Sequence, residues 1–71
     1  MLKIKIGQIR EDMYGLYIIT YCEVERSLYS VIYHDGIIRH WSAASIKDDI
    51  LIAEYPTWQE AVNSKEFNYE S

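Results

Sequence analysis

The side chains with most to offer catalysis are two histidines, His34 and His40, one cysteine, Cys22, and a scatter of serines and carboxylates. His34 and His40 lie six residues apart across an Asp35-Gly36 turn. A two-residue loop there sets them on opposite strand faces, and zinc wants three or four converging ligands, so no shared metal is expected. Ser30 or Ser42 with His40 and Asp35 makes a Ser-His-Asp set on paper, but no nucleophile elbow surrounds either serine. Cys22 has Glu23 as its neighbour rather than the cation a reactive thiolate needs, and reads as a small half-buried strand residue. Glu11-Asp12 and Asp48-Asp49 lack the spaced oxygen ligands of a calcium loop and read as solvated turn charges. Gly7, Gly15 and Gly36 are too scattered to cradle a phosphate. The expectation is therefore no enzyme, no catalytic residue, no cofactor and no metal.

Recognition is the better lead. Arg39 and Trp41 lie two residues apart on one strand, and aromatic and arginine side chains dominate interface hot spots. The alternative is that Trp41 packs under a C-terminal helix with Arg39 covering it. Tyr17 and Tyr21 share a face of another strand with Ile19, while Tyr14 lies on the other face. Burying all seven phenols of the chain would demand seven partners, so some should reach solvent. Six of the eleven acidic residues follow Gly36, among them Asp48, Asp49 and Glu54. The candidate contact residues are thus Tyr17, Tyr21, Arg39, Trp41, Asp48, Asp49 and Glu54. Such a face suits a basic host protein, including one that normally holds nucleic acid. Direct nucleic-acid binding would have to rely on Lys3, Lys5, Arg10, Arg26 and Arg39, and a homodimer through an apolar strand face is a further option.

These side chains must be held by short strands. Alternating apolar residues predict strands over Lys3–Arg10, Tyr14–Val24, Leu28–Tyr33, Ile37–Trp41 and Ile50–Tyr55. Both faces of the second are largely apolar or aromatic, so both need cover or one is a contact surface. The Asp35-Gly36 hairpin would pair Tyr33 with Ile38, Val31 with His40 and Ser30 with Trp41, placing Tyr29, Val31, Tyr33 and Ile38 on one face and Ser30, Ile32, Arg39 and Trp41 on the other. Ser42–Asp49 reads as one helical turn anchored by Ile46. Thr57-Trp58-Gln59-Glu60 has the form of a capping box and predicts a helix over about 57–67. Together these predict a mainly β protein: a small, SH3-like, five-stranded antiparallel barrel with a C-terminal helix over one open end, with a four-stranded sheet and one helix as the alternative.

The chain has 71 residues, 49% of them hydrophobic, ten aromatic, with a formal net charge of −4. That is one small domain, and a chain of this size hides only about 60% of its unfolded surface, so dense apolar packing or association must help. Negative charge repels a phosphate backbone at long range. No run of about 18 apolar residues predicts a membrane span, and the Lys-Ile alternation at the start is unlike a signal peptide. A lone cysteine fits a reducing cytoplasm.

Ile4-Lys5-Ile6-Gly7-Gln8-Ile9, the Asp35-Gly36 hairpin, and Leu51 to Phe67 with its Tyr55-Pro56-Thr57-Trp58-Gln59-Glu60-Ala61-Val62 core resemble small proteins encoded by phages and prophages of Gram-positive bacteria. The resemblance implies an SH3-like barrel and an accessory gene expressed in the host cytoplasm. It carries no catalytic motif. Proteins of that kind often bind a host factor, as the anti-CRISPR inhibitors do.

Overall fold

The computed structural model describes residues 3–68. Five strands, β1 (Gln8–Asp12), β2 (Gly15–Glu23), β3 (Leu28–Tyr33), β4 (Ile38–Ser42) and β5 (Ile50–Glu54), form one antiparallel sheet in the order β4-β3-β2-β1-β5. A 3₁₀ turn over Val24–Arg26 links β2 to β3, α1 (Ala43–Ile46) precedes β5, and α2 (Trp58–Val62) follows it. The ladder does not close: among the described residues β4 and β5 are edges, so the expected barrel is an open sheet.

The central strand has cover on both sides. Leu16 and Ile18 of β2 join Ile9, Ala61 and Phe67 in one apolar cluster beneath α2, while Tyr17 and Ile19 join Val31, Tyr33 and Ile46 in a second beneath α1. Each fully buried Ile contributes about 1.5 to 3 kcal/mol relative to exposure, so both clusters are needed in so short a chain. Ile46 is fully buried, as a single-turn anchor should be, and Ser42 caps that turn by accepting the Ser45 N–H at 3.3 Å.

Apart from shifts of one or two residues at other strand ends, four features differ from the sequence reading. β1 starts at Gln8 rather than Lys3, because Gly7 turns the chain at φ +96° to send its N–H to the Ile19 carbonyl (2.9 Å) and receive the Tyr55 N–H (3.1 Å). The β3–β4 loop is three residues, His34-Asp35-Gly36, with Tyr33 N–H bonded to the Ile37 carbonyl and Gly36 at φ +86°. That is a turn followed by a left-handed residue, and it shifts the register by one. Tyr29 therefore faces Trp41, Val31 faces Arg39 and Ile32 faces Ile38. In β2 a bulge at Thr20 takes Tyr21 to the face opposite Tyr17 and Ile19. Finally, α2 ends at Val62 instead of about Phe67. Ser64 stops it by donating to the Ala61 carbonyl at 2.6 Å and accepting the Phe67 N–H at 3.3 Å, which still delivers Phe67 to the core. The Thr57 cap is in place, with the Glu60 N–H 3.2 Å from Oγ1.

Candidate functional site

On the α1 side of the sheet, the β1–β2 turn, the end of β4 and the α1–β5 turn surround a groove of about 410 Å³ lined by Asp12, Met13, Tyr14, Trp41, Ser45 and Asp49. Asp12 accepts the Tyr14 N–H at 2.8 Å, a local turn bond that fixes Met13 and Tyr14 at the tip. Both project into solvent, Met13 at 86% and Tyr14 at 67% exposure, side by side at the mouth of the groove.

Two phenols hold the groove's carboxylates. Trp41 Nε1 donates to the Tyr33 hydroxyl (2.8 Å), which donates to Asp12 Oδ2 (2.5 Å). Tyr17, fully buried, donates to Asp49 Oδ2 at 2.6 Å. The Tyr17 and Tyr33 rings meet at 5.3 Å with a 48° tilt. Burial, then the hydrogen bond and charge of Asp49, push the Tyr17 phenol well above its ordinary range; burial and the Asp12 hydrogen bond do the same for Tyr33. Both phenols stay protonated and act as donors across the neutral range.

Beneath them lies Arg10, 1% exposed. Its Nε donates to Gln8 Oε1 (2.9 Å) and its Nη1 to the carbonyls of Ile46 (3.4 Å) and Asp49 (3.2 Å). Gln8 in turn donates to Glu54 at 2.9 Å and to the Lys3 carbonyl at 2.6 Å. This buried network ties β1 to the α1–β5 turn and so fixes the Asp49 backbone. Arg10 is accordingly not a surface cation. Arg39 lies over Tyr14 (5.8 Å to the ring centre) and Tyr33 (5.9 Å), beside a second cavity of about 290 Å³ that shares Tyr14 as a wall.

Of the expected contact residues, the structure brings together Trp41, Asp49 and Arg39, with Tyr17 behind them as a buried support rather than a contact. Arg39 and Trp41 do share a face, but it is the one carrying Tyr29, Val31 and Tyr33. Trp41 is half-buried against that cluster and does not lie under α2. Tyr21 sits on the other face beside Ser30 and His40, Glu54 is tied to Gln8, and Asp48 is exposed in the turn before β5. Asp49 and Asp12 are not simply solvated turn charges, since each takes a phenol. Asp12, Met13, Tyr14 and Ser45 are not among the contact residues expected from sequence; the signal for them is a Met and a Tyr beside an acidic pair in the short turn between two strands.

The paper triad is not assembled. Ser30 Oγ and His40 Nδ1 are 3.0 Å apart, but Asp35 accepts the Ile37 N–H within its own turn and Ser42 caps α1. His34 instead packs edge-on against Phe67 at 5.0 Å. Among the described residues no three His, Cys, Asp or Glu side chains converge as metal ligands, and no helix is long and apolar enough to cross a membrane. No protein-family model, curated protein or solved structure matches the chain.

Proposed function

We propose that this chain is a non-enzymatic module that binds another protein through the Trp41–Tyr14–Met13 groove. The observation that carries the proposal is the groove itself: exposed apolar side chains on a hydrogen-bonded turn, above carboxylates held in place by buried phenols. Trp41, half-buried and bonded through its indole N–H to Tyr33, loses little conformational freedom on binding. In keeping with the resemblance, we further propose a phage or prophage accessory protein of the host cytoplasm that inhibits a basic nucleic-acid-processing or defence protein, as anti-CRISPR proteins do. The net charge of −4 supports a basic partner. The same proposal takes the sheet as SH3-like, supported by β1 lying between β2 and β5 and by a short helix just before β5. Nucleic acid is a poorer fit, because Arg10 is buried, Arg26 is 3.5 Å from Glu23 and Arg39 is spread over two tyrosines.

The test is capture from bacterial lysate by the intact chain and by a Met13→Ala/Tyr14→Ala variant, whose changes lie on exposed side chains. A protein held by the first and lost by the second is expected. Equal recovery by both, or none by either, would sink the proposal.

A further inference from the structure

The lining of the groove carries two acidic side chains and no basic one. Asp12 and Asp49 both accept hydrogen bonds from neutral phenols, at 2.5 and 2.6 Å. Such a bond fixes a carboxylate in space and leaves its full negative charge in place. Among the described residues neither carboxylate has a salt-bridge partner. Arg10 turns its guanidinium to the carbonyls of Ile46 and Asp49, and Arg39 lies over the rings of Tyr14 and Tyr33. Two placed anions thus stand in a groove whose remaining walls include an indole, a phenol ring and a thioether.

We propose that the groove receives an arginine side chain from the partner protein, its guanidinium at Asp12 and Asp49 and its stem along Trp41, Tyr14 and Met13. This rests on the protein-binding reading and specifies the partner's chemistry. Charge complementarity selects a cation, and the aromatic wall selects arginine over lysine. A guanidinium is planar, more weakly hydrated than an ammonium, able to fork onto carboxylate oxygens and able to stack on a ring. Arg39 beside Tyr14 and Tyr33 shows the same pairing in the adjoining cavity. About 410 Å³ is room enough for one such side chain with its first waters.

The test titrates the intact chain with blocked Gly-Arg-Gly, Gly-Lys-Gly and Gly-citrulline-Gly peptides, following the amide signals of Asp12 to Gly15 and Asp49 and the Trp41 indole N–H. Arginine should shift them saturably, lysine several-fold more weakly, and citrulline, which keeps the shape without the charge, about tenfold more weakly. Asp49→Asn retains an oxygen for the phenol and removes the charge, so it should weaken the arginine peptide about tenfold; Asp12→Asn also gives up either the Tyr33 hydroxyl or the Tyr14 N–H and should weaken it at least as much. Equal binding of arginine and citrulline, lysine equal to or better than arginine, no shift with any peptide, or no loss in either Asn variant overturns the proposal. Should an Asn variant lose its cooperative melt, the citrulline comparison on the unaltered chain still decides. Lysate capture separates the two levels. A partner lost by Met13→Ala/Tyr14→Ala but kept by Asp12→Asn/Asp49→Asn removes arginine and leaves protein binding, whereas equal capture by all three chains removes both.

Discussion

Tyr17 and Tyr33 give the groove its order, and each does so through one hydroxyl. Removing the Tyr17 hydroxyl by Tyr17→Phe leaves Asp49 without its phenol donor and should cost about 1.5 to 3 kcal/mol, the usual range for a hydrogen bond to a charged acceptor. The phenol's raised pKa adds a signature in pH. In the unfolded chain Tyr17 ionises near 10.0, while in the fold burial and Asp49 keep it protonated well beyond that. The folded state therefore binds more protons above pH 10, and the associated stability is complete below that pH and declines as pH rises. Urea melts between pH 8 and 11 should show this decline in the parent and a flatter one in Tyr17→Phe/Tyr33→Phe. An identical slope in both chains would contradict this account of the two phenols.

Gly7 shows what one residue imposes on its element. A Cβ there would lie 2.2 Å from the Tyr55 carbonyl oxygen, and the φ of +96° is itself unfavourable for any L side chain. Gly7→Ala should cost at least about 2 kcal/mol, which in a chain of this size lowers the melting temperature by about 10 °C. Gly36→Asn, at a positive φ with open space around it, should move the melt by a few degrees at most. Comparable melts for the two variants would mean that the close approach to Tyr55 is unimportant. The same scale explains what could be read in advance. All five strands, the Ile46 anchor and the Thr57 cap follow from alternation and capping chemistry, which are local. The bulge at Thr20 and the third loop residue are not local: each depends on which partner strand lies alongside, and each moves side chains across the sheet. Trp41 is therefore recognisable from sequence as an anchor candidate, whereas the face it takes follows only from the register with β3. Asp12 and Asp49 became members of a site only once β1, β3 and the turn before β5 had met.

At the scale of the molecule, two strand edges stay open among the described residues. Ile38 on β4 and Ile50 on β5 are 61% and 63% exposed, and unpaired strands with apolar side chains are prone to edge-to-edge association. Ile38→Lys and Ile50→Lys should each raise the concentration at which the chain self-associates, followed by light scattering, with melting temperatures within a few degrees of the parent. Onset at the same concentration in all three would show that the edges are not the contact. The His34–Gly36 loop has a consequence of the same reach. Because strand side chains alternate, loop length acts as a parity bit: with three residues the Arg39 and Trp41 pair looks toward Asp12 and Asp49, and with two it would look the other way, with Ile38 taking the inner place. What this molecule presents to its surroundings is thus set by whether one loop is odd or even, independently of the residues in the strand. Sequences aligned to it need that loop counted before any match at Trp41 carries meaning.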